Sequence, residues 1–416
     1  MERAVGLLGI ACMVGVGWLA STQRKSIDWR SVAISFLLQV AIAFLFLRTG
    51  AGSWLFGSLN DAAVAFIAAA DRGIDFVFGR WPARVMGEGG TPIELPFVFA
   101  VRVLPVIIFM SSVFSVLYHF GVLQAVVEVL ARGLRRVLPI SGAEALSTVA
   151  NIFLGMTEAP LMVKPYVEGM TRSELFLVMV AGLASVAGSV LVAYMGMVGP
   201  DYAGHLIAAS FMSAPASIMY AKLMIPEDAV PATGGQLRVP PVPRTSVNAI
   251  DAAAEGAAEG LRLALNIAAM LIAFVSLIFL LDSLLAQLGG WIGIAQLSFG
   301  KLLGYALGPV AWLLGVPSGD ALRIGEMLGI KTVLNEFISY QMLAQARATL
   351  EPRSVVIASY AMCGFANFGS LAILLGGLGG MAPSRRADIA RDGLRAILAG
   401  SLSSFTTGAI AGILLY

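Results

Sequence analysis

Long apolar runs recur along this chain, and they limit its possible folds more than any other feature of the sequence. A helix needs roughly 20 apolar residues to cross the ~30 Å hydrocarbon core of a bilayer. Because 58% of the 416 residues are hydrophobic and only 12% are charged, one soluble core could not bury them all. The sequence therefore predicts an all-α polytopic membrane protein with eight transmembrane helices, over Ala4 to Ala20, Ser31 to Leu47, Pro96 to Phe120, Leu175 to Val198, Leu206 to Met224, Leu263 to Leu281, Val355 to Leu378 and Ala396 to Tyr416.

Two further apolar regions, residues 139–166 and 305–347, are interrupted by glycine, proline and charge. Lys and Arg are enriched in cytoplasmic loops, so basic clusters indicate orientation. The clusters here are Arg24, Lys25 and Arg30; Arg132, Arg135 and Arg136; Lys222, Arg238 and Arg244; and Arg385, Arg386, Arg391 and Arg395. They all fall inside, with both termini outside, if there are eight crossings and each interrupted region enters and leaves on one side. We therefore predict that both regions are re-entrant helical hairpins.

The two halves of the chain resemble each other. Thr157-Glu158 in the first interrupted region is followed about thirty residues later by a small-residue string, Ser185 to Leu191, and Asn335-Glu336 in the second is followed similarly by Gly364 to Leu371. Chance similarity of short strings is the alternative. Hairpins that enter from opposite faces predict inverted repeats with broken helices and a site at the midplane, as in secondary transporters. The predicted regions are 1–94, with two spans and an interfacial helix over 54–80; 95–225, the first repeat; 226–250, a Pro/Gly-rich cytoplasmic linker; and 251–416, the second repeat.

Glu158 and Glu336 are the residues that most need an explanation, because each lies in an apolar hairpin. Ionisable residues are expensive in the hydrocarbon region and usually mark a pathway or a bound polar group. The alternative is that each glutamate only pairs with a nearby lysine, Lys164 or Lys331, at a helix end. Two matched glutamates in two matched hairpins favour a polar binding site.

Other classes of function fit the sequence less well. A net charge of +2 is too small to indicate a nucleic-acid partner. An intramembrane enzyme would need a paired aspartate motif, a Ser-His dyad or a His-Glu-x-x-His motif, and the chain has only two isolated histidines. An ion channel is the other class of function that the sequence allows, because re-entrant loops also build pores. We expect a transporter and no enzymatic activity.

The strings GMTEAPLMVKPY, GIKTVLNEFISY and CGFANFGS resemble the hairpin and broken-helix motifs of the concentrative nucleoside transporter family. The resemblance runs from about residue 95 to the end and fits the bacterial, eight-span type. It implies a homotrimer in the bacterial inner membrane that imports nucleosides, with a transport domain sliding past a scaffold as an elevator. Sodium would be the coupling ion. A proton-coupled nucleoside symporter, or a permease or channel for another small polar solute, is the alternative.

The resemblance also implies roles for particular residues. Nucleoside-binding residues would be Gly155, Met156, Thr157 and Glu158 at the base, with Val190 beside them, Glu336, Asn367 and Ser370 at the ribose, and Phe365 packed on the sugar or base. Sodium would be held by Asn151 and Ser185, with the backbone carbonyls of Leu154 and Val186. Met156 stands where the family usually has glutamine, which puts the preference between bases in doubt.

Overall fold

The computed structural model describes residues 2–79, 84–86, 92–94, 98–234, 246–291 and 297–416. Part of the predicted linker, residues 235–245 with Arg238 and Arg244, lies outside the described residues. So does Pro96, the predicted start of the third span.

Three long helices open the chain. α1 (Glu2–Leu19) and α2 (Trp29–Arg48) match the first two predicted spans, and α3 (Gly50–Phe78) covers the region predicted to lie in the interface. α3 is not among the helices that are long and apolar enough to cross a bilayer. Two three-residue strands, β1 (Arg84–Met86) and β2 (Pro92–Glu94), pair antiparallel and are the exception to the predicted all-helical chain within the described residues.

The first half then folds into a hairpin followed by a broken helix. Its helices are α4 (Phe99–Arg102), α5 (Leu104–His119), α6 (Val122–Val137), α7 (Gly142–Ala150), α8 (Lys164–Val167), α9 (Arg172–Ala184), α10 (Gly188–Val198) and α11 (Ala203–Met224). The hairpin consists of α7, a turn over 151–158, the 3-10 helix Ala159–Val163 and α8. These elements coincide with the hairpin predicted over 139–166.

The second half has the same order of elements, preceded by a long helix. Its helices are α12 (Ala249–Trp291), α13 (Phe299–Leu313), α14 (Ser318–Val333), α15 (Glu336–Ala346), α16 (Pro352–Met362), α17 (Phe368–Met381) and α18 (Arg386–Leu415). Here the region predicted as a hairpin, 305–347, contains α14 and α15 together with most of α13. α13 is bent away from α14 by 119°, at a turn where Gly315 adopts a φ of 90°, a backbone conformation that glycine tolerates best. The second hairpin is therefore α14 and α15.

Seven helices in the described part of the chain are long and apolar enough to span a membrane. The remaining predicted span, Val355 to Leu378, corresponds to α16 and α17, which are separated by a break over 363–367. Each half of this span is too short to cross by itself. The predicted eighth span therefore exists as a broken helix.

The two breaks contact each other inside the protein. The break between α9 and α10 covers 185–187, and the Phe365 N–H of the second break donates to the Ser185 carbonyl at 3.2 Å. Gly364 permits this approach, because a Cβ there would lie 3.0 Å from the Ala184 carbonyl oxygen. The Gly188 N–H donates to the Phe153 carbonyl at 3.0 Å and joins the first hairpin to the same point. Unwound backbone at membrane depth thus obtains partners from protein.

α12 is set apart from this core. It packs mainly against α5, where Gly256 and Gly260 lie close to Ser111 and Ser115. Only 11% of the most apolar 18-residue stretch of this helix is buried inside the protein. Small residues at a helix contact allow close packing of transmembrane helices, so α5 and α12 form a pair at the side of the hairpin core.

Candidate solute-binding site

A cavity lies where the hairpin tips and the helix breaks face α12. Its volume is about 120 Å³, which is smaller than the ~300–1,000 Å³ typical of small-molecule sites. Seven of the nine predicted solute-binding residues line it: Met156, Thr157, Val190, Glu336, Phe365, Asn367 and Ser370. The other lining residues are Leu263, Ile267, Met270, Asn335, Phe337 and Ile373. The structure therefore brings together residues from both halves of the chain.

Glu336 is the only carboxylate among the lining residues, and it is 3% exposed. Its Oε1 accepts a hydrogen bond from the Tyr194 hydroxyl at 2.9 Å, and its Oε2 accepts one from the Asn367 side-chain amide at 2.8 Å. An ionised carboxylate offers about four acceptor positions. About two remain for hydroxyl groups of a solute.

Helix starts surround this carboxylate. Asn335 caps α15 by accepting from the Ile338 N–H at 3.0 Å, and Asn367 caps α17 by accepting from the Ser370 N–H at 2.7 Å. Glu336 is the first residue of α15, where the helix dipole favours negative charge. The local sequence thus fixes the carboxylate and stabilises its charge before a solute arrives.

Lys331 does not form a direct ion pair with Glu336. Its ammonium group is buried, donates to the Ser404 hydroxyl at 3.1 Å and lies 5.6 Å from the centre of the Phe405 ring. Both Glu336 oxygens are held by Tyr194 and Asn367 instead. The alternative explanation, in which Glu336 only pairs with Lys331 at a helix end, therefore does not fit the structure.

Glu158 and Gly155 occupy the tip of the first hairpin but are not among the residues that line the cavity. Glu158 is exposed, and its carboxylate folds back beside Gly155. Within the described residues no ion pair joins it to Lys164. Glu158 thus lies beside the cavity and is not paired with Lys164.

The four predicted sodium ligands come from two neighbouring segments, the turn over 151–158 and the break over 185–187. The hydrogen bond from Gly188 to Phe153 brings the chain around Leu154 next to the break that contains Ser185 and Val186. Asn151 is 1% exposed, and its Oδ1 has no hydrogen-bond partner among the described residues. The Asn151 amide donates to the Ser147 carbonyl at 2.9 Å, which leaves Oδ1 free as a ligand. Carbonyl, amide and hydroxyl oxygens are the donors that hard cations prefer.

Sequence reasoning missed two contributions to this site. Tyr194 lies in an apolar stretch of α10, and its only signal is a hydroxyl among aliphatic residues. Leu263, Ile267 and Met270 come from α12, where their i, i+4, i+7 spacing indicates one apolar helix face but nothing about a cavity. Only the fold shows that this face closes the cavity.

Comparison with known proteins agrees with the geometry. Family models match as "Na+ dependent nucleoside transporter N-terminus" over residues 8–81, "Nucleoside recognition" over 100–201 and "Na+ dependent nucleoside transporter C-terminus" over 205–412. This chain belongs to the Na+ dependent nucleoside transporter family. The expected concentrative nucleoside transporter membership is confirmed, and the relatives are transporters, not enzymes.

Relatives of this nucleoside transporter match over nearly its whole length. It is 38% identical to the nucleoside permease NupC of Helicobacter pylori over 98% of this chain and 96% of that protein. It is 37% identical to the sodium/nucleoside cotransporter 1 of Mus musculus over 99% of this chain and 64% of that protein. Among solved structures, CNTnw in an inward-facing substrate-bound state is similar with a TM-score of 0.91 and 43% identity, over 100% of this chain and 98% of that chain. The protein is a multi-pass, all-α membrane transporter, and its family supports sodium as the coupling ion.

Proposed function

We propose that this chain is a secondary active importer that moves nucleosides together with sodium ions down an inward sodium gradient. The observation that carries the proposal is the buried Glu336 carboxylate, held by Tyr194 from the first half and Asn367 from the second. A fixed acceptor with free lone pairs suits the two adjacent hydroxyls of a ribose. Charge-assisted hydrogen bonds of this kind are about twice as strong as neutral ones.

In the proposed complex, Glu336, Asn367 and Ser370 bind the ribose, and Phe365 packs against the sugar or base. Gly155, Met156, Thr157 and Glu158 face the base from the first hairpin, beside Val190. The apolar side of α12 covers the nucleoside, because Leu263, Ile267 and Met270 line the same cavity. The polar sugar and the flat base would thus contact different sets of residues in the cavity.

Sodium in the proposed mechanism binds between Asn151, Leu154, Ser185 and Val186. The orphaned Asn151 Oδ1 supports this assignment, since a buried acceptor without a partner is unfavourable by about 1–3 kcal/mol until something fills it. A cation at this point would also join the first hairpin to the broken helix. Sodium binding would then order the wall against which the base packs.

We further propose that the hairpins, breaks, α11 and α18 move as an elevator past the pair α5 and α12. The low burial of α12 supports a scaffold role and leaves apolar surface for the neighbouring subunits of a homotrimer. Ile272, Phe279 and Trp291 are 71%, 75% and 82% exposed on this helix. We propose a location in a bacterial inner membrane, and the arginine clusters support an orientation with both termini outside and the 226–250 linker in the cytoplasm. The regions 95–225 and 251–416 would be the inverted repeats.

Uptake of labelled uridine into liposomes that contain the purified protein tests the proposed function. An inward sodium gradient should drive accumulation above the external concentration, whereas an equal choline gradient should not. A third set of vesicles carries only an inward proton gradient. Accumulation in that set, unchanged by sodium, would assign the protein to proton symport, and the absence of saturable uridine uptake in all sets would refute nucleoside import.

A further inference from the structure

Helix α7 carries a polar face that leads away from the proposed sodium site. Glu144, Ser147, Thr148 and Asn151 lie at positions i, i+3, i+4 and i+7, which share one face of a helix. Asn151 is the C-cap, and its N–H still donates to the Ser147 carbonyl at 3.1 Å. The face therefore continues without a break for about 10 Å, at 1.5 Å per residue.

The middle of this face is buried and unsatisfied. Ser147 is 0% and Thr148 1% exposed, and neither hydroxyl has a hydrogen-bond partner among the described residues. Several buried serines in the same core bond to a carbonyl one turn back, such as Ser217 to Ala214 and Ser403 to Ala399, whereas Ser210 and Ser401 also have no partner among the described residues. A helical hydroxyl normally has that option. Ser147 and Thr148 do not form this bond in the structure, so each hydroxyl keeps both its donor and its acceptor capacity on this face of α7.

A second cavity lies at the other end of the face. It has a volume of about 380 Å³ and is lined by Glu144 and Lys222 together with Asp28, Arg135 and Glu227. The hydrogen bond from the Ser31 side chain lowers the pKa of Asp28 further below neutral pH. Three carboxylates face two basic groups here, and the cavity can attract a cation.

Lys222 connects the cavity to the polar face. Its Nζ lies 2.5 Å from the Glu144 Oε1, 3.3 Å from the Glu227 Oε2 and 3.0 Å from the Ser173 hydroxyl. The ammonium group therefore has a second carboxylate within reach. If a cation arrives at Glu144, Lys222 can remain paired through Glu227 without leaving a charge unpaired, which is costly in a buried site.

We propose that the polar face of α7 is the sodium release path, from Asn151 past Ser147 and Thr148 to Glu144 and the cavity at Lys222. The proposal rests on the proposed sodium symport. The hydroxyl oxygens replace part of the hydration shell during the step between the two sites. Lys222 acts as the competing cation that occupies Glu144 when sodium is absent.

The path predicts a separation between two transport modes. Net uptake requires sodium release inside, whereas uridine exchange at saturating sodium on both sides does not. The double variant Ser147→Ala/Thr148→Val removes both hydroxyls with little change of shape, and Ser217→Ala is the matched control, because that buried serine is already bonded. We expect net uridine uptake by the double variant to fall about tenfold, while exchange and the sodium dependence of equilibrium uridine binding stay within about twofold of wild type.

Two results would overturn the path. One is net uptake by the double variant within twofold of wild type, and the other is an equal fall in uptake and exchange with weaker sodium binding, which would place both hydroxyls in the binding site. If the double variant does not fold, Thr148→Val alone decides by the same comparison. Failure of the symport proposal is distinguishable, because wild-type uptake would then be independent of sodium.

Discussion

Replacing Glu336 by glutamine changes the charge of the cavity but preserves its internal hydrogen bonds. The glutamine oxygen can still accept from the Asn367 amide, now at 2.8 Å from Oε2, and its amide can donate to the Tyr194 oxygen, now at 2.9 Å from Oε1. Tyrosine hydroxyls both donate and accept. The variant is therefore expected to fold, and its defect should appear in nucleoside binding.

The size of that defect follows from the two free acceptor positions. Hydrogen bonds to a charged group contribute about 1.5–3 kcal/mol and neutral ones about 0.5–1.5 kcal/mol, a difference of about 1 kcal/mol for each ribose hydroxyl. Two hydroxyls lose about 2 kcal/mol together, and each 1.4 kcal/mol corresponds to a tenfold change in affinity. Affinity for all nucleosides should fall by about 30-fold, because each carries the same sugar.

Binding of labelled uridine and adenosine to detergent-solubilised protein at saturating sodium measures this loss directly. Glu326→Gln is the matched control, since Glu326 lies on the other limb of the same hairpin and faces Gly300 of α13. We expect the control to bind both nucleosides within about twofold of wild type. A loss below threefold in Glu336→Gln, or a loss confined to one nucleoside, would refute the ribose assignment.

Four further outcomes follow from the same geometry. Met156→Gln should strengthen uridine relative to adenosine by a few-fold to about tenfold, the contribution of one neutral hydrogen bond, and an unchanged competition ratio would mean that the base does not contact this residue. Asn151→Ala should raise the sodium concentration for half-maximal uptake, and an unaltered sodium curve would exclude it as a ligand. Tyr194→Phe should weaken uridine binding by about two- to tenfold through the loss of one bond to Glu336, whereas wild-type affinity would make that bond dispensable. In a cysteine-free background, Tyr416→Cys should react with an impermeant thiol reagent from outside and Ala232→Cys only from inside; the opposite pattern would invert the topology.

The sequence was sufficient for much of the site because charge and helix breakers are local signals. Glu336 in an apolar hairpin and the small residues around Ser185 and Gly364 predicted a polar site between broken helices, and the structure brings them to one cavity. Asn367 was also predicted, although its bond to the glutamate could not be, since the two residues are joined only by the packing of α15 and α17.

Other parts depend on contacts that no local pattern encodes. Tyr194 reaches Glu336 across 142 residues of sequence. The sequence did not separate α13 from the second hairpin, because α13 is as apolar as a hairpin limb. The 119° turn at Gly315 is marked in the sequence only by a glycine and a proline. Glu158 was predicted to face the base, and in the structure its exposed side chain lies outside the set of residues that line the cavity.

The hydrogen bond between Phe365 and Ser185 has a consequence for the biogenesis of the protein. The two residues are 365 − 185 = 180 positions apart, so at about 5–20 residues per second the ribosome needs roughly 10 to 40 s to supply the partner of the Ser185 carbonyl. During that interval the Ser185 carbonyl in the first break has no Phe365 N–H from which to accept a hydrogen bond. We expect residues 172–198 to enter the membrane first as one continuous helix and to unwind only when the second half arrives, a sequence of events that cysteine accessibility at Val186 in stalled nascent chains would measure.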